Sequence, residues 1–420
     1  MTIGIKNLFE IFRKEGKSRQ DQLKWFATVF LILFGICYLP LEGAAGFGVI
    51  KITLMFLAIL VLLFYSFKLT KAVFIGIIYV LYQYVSASFH PESFRWITLL
   101  FSVGLVFAYM AIYNLIYVER VFDIRHFLRL LKWVMMAFFV VCIIQQCCIV
   151  VGIRTLPIIN LMGELNRGIG CNSLSMEPST FARTMLVFYY CYVKCHEYIR
   201  GKEPFTVREL FTGEHKWVTI RFLWMMTTMG SGTAYVCIVL FSLYFVRKNN
   251  FYYIIPVLAV CYIGLEALEI EQATRATKML NAMTTLDQEQ VEMADGSGAS
   301  RISPLLNSFK ADFSKTETWF GYGIDYAAKH KLIVRQTATM FDDYGFCLYL
   351  IALIMNLTCA YRFFSLGFLF QIGGIAGGAG ANIHYAWWLM MIMTCLRFFY
   401  DNRHQLKEEY DRKKNENIEG

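Results

Sequence analysis

Apolar segments of about the length needed to cross a bilayer recur along this whole chain. A crossing helix needs about 20 mainly apolar residues, fewer where it is short or kinked. By that measure roughly twelve candidates follow one another. They lie near residues 25–40, 46–66, 72–89, 97–118, 131–152, 181–195, 217–230, 232–246, 251–267, 344–361, 363–381 and 384–400. The segments 217–230 and 232–246 are short and flank Gly230-Ser231-Gly232, which suits a tight hairpin. Gly373, Gly374, Gly377, Gly378 and Gly380 interrupt 363–381; their GxxxG spacings suit close helix packing or a kink. In hydrocarbon a lone segment satisfies its own backbone hydrogen bonds only as a helix. The expected fold is therefore all-α, a polytopic integral membrane protein forming one transmembrane domain over residues 1–420.

The composition agrees. Only 17% of the 420 residues are charged against 57% hydrophobic, and mean hydropathy is +0.48. A soluble domain is about a quarter charged. The 37 Phe and 25 Tyr suit aromatic belts at the two interfaces. A net charge of +9 raises the question of a nucleic-acid partner. The basic residues sit at the ends of apolar segments, however, and no basic face interleaved with stacking aromatics exists, so no nucleic-acid partner is expected. Most of the 12 cysteines lie inside apolar segments, and the water-facing loops offer almost only Cys171. That excludes a disulfide framework, and the absence of a CxxC pattern leaves no expected metal site. The N-terminus, polar from Ile3 to Phe12 and charged from Arg13 to Lys24, does not read as a cleavable signal peptide.

Lysine and arginine set the orientation. With the N-terminus in the cytoplasm and the segments alternating, 27 of the 40 Lys and Arg residues fall on the cytoplasmic side. Of the other 13, eight belong to one long outer loop, 268–343. This bias predicts both termini inside. The outer loop 153–180 is the first functional candidate. The loop 268–343 is too long for a simple connection and is expected to carry short helices of its own. Leu305, Leu306, Phe309 and Phe313 are spaced as an amphipathic surface helix, preceded by a turn at Asp295-Gly296-Ser297-Gly298.

Arg154, Arg167 and Arg301 stand in these two loops against the charge bias. A guanidinium holds its charge and forks onto phosphate oxygens, so the group points to an anion site; each alone would also suit a solvated loop. Glu177-Pro178 opens the segment 181–195. The pair suits a helix start, with proline in the first turn and a carboxylate at the positive end of the dipole. It equally suits a partly desolvated general base. Trp319-Phe320-Gly321-Tyr322-Gly323 reads as a tight turn rather than a nucleotide loop. Asp342-Asp343 read as solvated boundary residues, with sugar contact as the alternative. His330 reads as a surface histidine.

These residues together resemble a known family. Arg167-Gly168 followed by Glu177-Pro178-Ser179-Thr180-Phe181-Ala182 resembles the Arg-x-x-Gly … Glu-Pro-Ser-x-Phe-Ala segment of bacterial O-antigen, capsule and exopolysaccharide polymerases of the Wzy type. Ser300-Arg301 followed by Trp319 to Gly323 resembles their second outer segment, and Asp343-Tyr344-Gly345-Phe346 its close. Met229-Gly230-Ser231-Gly232-Thr233 is similar to their Ser-x-Ser/Thr hairpin. The resemblance covers about residues 150–365; the earlier segments match by hydropathy alone.

The resemblance implies a GT-C-like, metal-independent glycosyltransferase of the bacterial cytoplasmic membrane, without cofactor. Its substrate would be an undecaprenyl-diphosphate-linked glycan taken from the membrane lipid, and a chain-length regulator is an implied partner. Arg167 and Arg301 would stabilise charge on the leaving diphosphate, and Glu177 would deprotonate the acceptor hydroxyl. Arg154, Ser179, Tyr322, Asp342 and Asp343 are further substrate-binding candidates. Two alternatives remain at this point: an O-antigen ligase, or a flippase of the same lipid-linked glycan. The ligase histidine at a set distance before a glycine has no match, since His330 lies too far from Gly345. A transporter would show internal repeats and charges inside its spans.

Overall fold

The computed structural model describes residues 18–36, 48–92, 95–153, 169–201, 204–246, 312–329, 337–374, 384–406 and 408. Among the described residues every regular element is helical. In chain order these are α1 (Arg19–Leu33), α2 (Val49–Val61, continued by a wider turn, Leu62–Ser66), α3 (Lys71–Phe89), α4 (Trp96–Tyr117), α5 (Ile124–Val150), α6 (Pro178–Arg200), α7 (Val207–Leu210), α8 (His215–Thr228), α9 (Gly232–Ser242), α10 (Thr316–Phe320), α11 (Tyr326–Lys329), α12 (Thr337–Leu357), α13 (Leu366–Gly374) and α14 (His384–Asp401). Among the described residues four stretches are long and apolar enough to cross a membrane: Val49–Ser66, Lys71–Phe89, Trp96–Tyr117 and Ile124–Val150. The segment 251–267, the amphipathic run from Leu305 to Phe309 and the turn at 295–298 lie outside the described residues.

The helix ends follow local chemistry. Asp123 accepts the amide hydrogen of His126 at 2.7 Å, which starts α5 well before its apolar run. Such a cap is worth about 1 kcal/mol. Thr70 caps α3 through the amide of Val73. Pro178 occupies the first turn of α6, where it forfeits no hydrogen bond. Gly201 ends α6 in the left-handed conformation, with φ +64. Gly230, φ +71, makes the hairpin between α8 and α9.

Packing sorts the helices into a wall and a centre. α14 lies against both α4 and α6, while α2 and α3 flank α4, and α5, α8, α9 and α13 flank α6. α6 and α14 are buried along nearly their whole length. α2, α3 and α5 turn large apolar side chains outward, among them Phe56, Phe64, Phe74, Leu81, Trp133 and Val140. The centre is dense and keyed by polar contacts. Trp388 donates its indole N–H to the carbonyl of Leu31 at 2.7 Å, and its ring lies where any side chain at Gly35 would stand. Tyr109 of α4 bonds the hydroxyl of Thr358 at 2.6 Å. Asn114 donates to the carbonyls of Ser66 and Lys68 at 2.8 and 3.0 Å and accepts from Thr70 at 2.7 Å, tying α4 to the α2–α3 turn. Buried polar groups satisfied in this way give helix contacts a register that apolar packing alone lacks.

The basic segments gather at one end of the bundle. There Lys24 pairs with Asp123 at 2.8 Å, Lys132 with Glu214 at 3.1 Å and Arg200 with Glu209 at 2.9 Å. Tyr117 of α4 donates to Asp401 of α14 at 3.0 Å, and Tyr198 of α6 meets Tyr361. The opposite end holds the start of α6, the start of α14, the end of α3 and the kink of α12.

Candidate functional site

The start of α6 is fixed by the preceding turn. Ser173, φ +50, donates its hydroxyl to the carbonyl of Phe138 at 2.6 Å. Its amide reaches Gln145 Oε1 at 2.7 Å, and Gln145 returns a bond to its carbonyl at 3.2 Å. Cys171, the loop cysteine, is buried with its sulfur 3.4 Å from that of Cys142. Segment 171–175 is thereby fastened onto α5.

Glu177 follows at the N-cap position with extended backbone, yet its side chain makes no capping bond. The carboxylate is exposed and accepts the hydroxyl of buried Ser179 at 3.1 Å. Glu177 is therefore a helix-start residue by backbone, and its carboxylate is presented at the surface. One turn on, Arg183 donates to the carbonyl of Ser179 at 3.3 Å and stacks over the ring of Tyr385 at 5.0 Å. Tyr385 and its neighbour His384 open α14. Lys51 of α2, 0% exposed, lies close enough to His384 for their charges to interact. Two cations that the sequence reading passed over, Arg183 and Lys51, thus stand beside the first turn of α14.

The second candidate segment is built by close backbone approach. Gly321 and Gly345 both have φ above +70 with ψ near 180°, at +75 and +72. A Cβ on Gly321 would lie 2.5 Å from the carbonyl oxygen of Asp343; one on Gly345 would lie 2.4 Å from the carbonyl of Trp319. Such backbone geometry is essentially restricted to glycine. The amide of Gly323 closes the contact on the carbonyl of Asp343 at 2.9 Å. Gly345 also kinks α12. Phe313, Trp319 and Phe346 pack edge to face around the junction, with centroids 5.2–5.6 Å apart.

This turn is in turn fastened to α3 and α4. Arg95, just ahead of α4, grips both carboxylate oxygens of Asp325 at 3.0 Å. Asp325 is 9% exposed and Arg95 64%. Lys329 donates to the carbonyl of Glu92 at 2.8 Å, and Tyr82 of α3 to the carbonyl of Tyr344 at 2.8 Å. Tyr344 neighbours Tyr79, whose ring meets Trp387 of α14 edge on at 5.9 Å. A continuous line of side chains so connects the turn with the start of α14.

The expected residues divide accordingly. Tyr322 is exposed and stacked on Tyr326, with centroids 4.7 Å apart. Asp343 is buried, not solvated as its position at a span boundary suggests, because the glycine turn covers it. Asp342 lies in α12, and its side chain is outside the described set. Arg154, Arg167 and Arg301 lie outside the described residues, as does His330. The chain matches no protein-family model, and no curated protein matches it in sequence.

Proposed function

We propose that this chain is a membrane glycosyltransferase that joins undecaprenyl-diphosphate-linked repeat units into a surface polysaccharide. The observation that carries the reading is the suture of Trp319–Gly323 onto Asp343–Gly345. These are two of the segments in which the sequence resembles Wzy-type polymerases, and they form one unit at the end of the bundle where α6 opens with Glu177 and Ser179. In this reading the bundle is a GT-C-like polytopic fold of about twelve spans. The lysine-rich end lies in the cytoplasm with both termini, and the sutured end faces outward.

The chemistry follows from the leaving group. As the glycosidic bond to the lipid diphosphate breaks, charge grows on the departing oxygen. Fixed cations stabilise that state more than the ground state. Arg167 and Arg301 serve this role, and Arg183 and Lys51 add positive potential beside the start of α14. Glu177, surface-presented and oriented by Ser179, takes the proton of the acceptor hydroxyl. The exposed Tyr322–Tyr326 stack offers a flat face to a sugar ring.

The test is the glycan made by a strain lacking this chain and carrying variants of it. Loss of a polymerase leaves single repeat units on the acceptor. Loss of a ligase strands long chains on the lipid carrier, and loss of a flippase traps units on the inner face. Arg167→Ala and Arg301→Ala are expected to reproduce the single-unit pattern. Full-length chains from both variants refute the site assignment.

A further inference from the structure

At the lysine-rich end, away from the proposed glycan site, three side chains with metal-binding atoms come together. His196 lies in the last turns of α6; Glu214 and His215 open α8. One ligand atom from each falls within 4.8 Å of the others. Nothing in the sequence spacing announces this set, because the two helices meet only in the fold.

The three groups are arranged as ligands rather than as partners of one another. His196 makes no hydrogen bond among the described residues: its Nε2 is buried without a partner, and its Nδ1 stands 3.9 Å from Glu214 Oε1, beyond bonding range. The two imidazole rings meet edge to face with centroids 4.6 Å apart. Tyr192, one turn before His196, bonds His215 Nδ1 at 2.9 Å. When Nδ1–H is donated to that oxygen, Nε2 carries the lone pair, which is how an outer partner orients a metal-binding histidine. Lys132 holds Glu214 Oε2 at 3.1 Å and leaves Oε1 turned toward His196.

Charge is balanced for the purpose. Lys132 sets one positive charge against the Glu214 carboxylate at 3.1 Å. Arg200, the other nearby cation, is taken up by Glu209 at 2.9 Å and by the Phe205 ring. Two imidazoles and a carboxylate are a ligand set of borderline softness, suited to zinc and its neighbours rather than to magnesium or calcium. Bonds of about 2.0–2.1 Å to such an ion place tetrahedral ligands about 3.3 Å apart. Closing from 4.8 Å asks for a small rotamer change at Glu214, 60% exposed, whose Oε1 is not the oxygen that Lys132 holds.

We propose that His196, Glu214 and His215 bind a zinc-class divalent transition-metal ion that clips α6 to α8, with Tyr192 orienting His215. The proposal is independent of the glycosyltransferase reading. The test uses the full chain in nanodiscs, purified on a tag without histidine, stripped with chelator and titrated with CoCl2 and then ZnCl2. The expected result is one equivalent of Co²⁺ per chain with a visible ligand-field band, displaced by Zn²⁺, and a rise in thermal midpoint on loading. His196→Gln and Glu214→Gln should each weaken binding at least about tenfold, and Tyr192→Phe about tenfold. Lys132→Met should tighten it by freeing the second carboxylate oxygen. Should a ligand variant fold poorly, the wild type and Lys132→Met still decide. Absence of stoichiometric Co²⁺ uptake by wild type, or equal uptake by the His196→Gln/His215→Gln double variant when folded, overturns the proposal.

Discussion

Alanine at Gly321 probes the suture on which the proposed outer site depends. Two costs add. Holding a residue with a Cβ at φ +75 and ψ −178 costs about 1–3 kcal/mol. The Cβ would also lie 2.5–2.6 Å from the carbonyl of Asp343 and the amide of Tyr344. Those atoms are backbone, so no side chain can swing aside, and overpacking of this kind costs about 1–3 kcal/mol more. The total is about 2–6 kcal/mol. Gly213→Ala is the control, since Gly213 also has positive φ, at +55, but open space around it. It should cost only the strain, about 1–2 kcal/mol. Gly345→Ala strikes the same contact from the other side. Once one Cβ has parted the two segments the second enters more easily, so the double variant should cost less than the sum by about 1 kcal/mol or more. Hydrogen exchange at residues 316–323 of the detergent-solubilised chain reads the opening directly, alongside the thermal midpoint. The reasoning fails if Gly321→Ala matches Gly213→Ala within about 0.5 kcal/mol, or if the double variant is additive.

Two further outcomes follow from charged pairs. Removing Arg95 strands the buried carboxylate of Asp325, whereas removing the charge of Asp325 frees an exposed guanidinium to water; Arg95→Ala should cost about 2–3 kcal/mol and Asp325→Asn less than half of that. Asparagine also tolerates the φ of +65 at this position. Equal losses in a chemical denaturation series would contradict that asymmetry. At Asp123 desolvation raises the carboxyl, but the Lys24 hydrogen bond and the His126 amide, with both their charges, outweigh it and leave it lowered. A depressed folded-state value contributes stability above the unfolded carboxylate range, about pH 4, that is lost as pH falls through the folded value. The partners are partly exposed, so the contribution is under about 1 kcal/mol. Asp123→Asn, which keeps the cap, should lie below wild type at pH 7 and meet it at the acid end; a constant gap across the titration would count against the pairing.

Most of the helices were legible because apolar runs of that length have few other solutions. Their beginnings were less so. α5 starts at Ile124 and α12 at Thr337, ahead of the apolar residues, the first because Asp123 caps a polar opening turn. The glycines of Trp319–Gly323 announced a turn but not its contact, since the backbone it touches is supplied from Asp343 across a gap in sequence. The Arg95–Asp325 pair joins positions 230 residues apart and leaves no local trace. Lys51 and Arg183 were within reach: both oppose the charge bias in the same way as Arg154, but each sits inside an apolar run, where hydropathy hid it. His196 and His215 belong to separate helices and acquire meaning only where these cross.

The position of α14 bears on how the molecule is made. Among the described residues it is the last long helix in chain order, yet it lies between α4 and α6, with Trp388 reaching back to Leu31 of α1. The apolar helices α2 to α5 can enter the bilayer as they emerge, each on its own hydrophobicity. The contacts that α4 and α6 make with α14 can form only once this later segment has been made. The bundle thus closes around a keystone synthesised after the helices it joins.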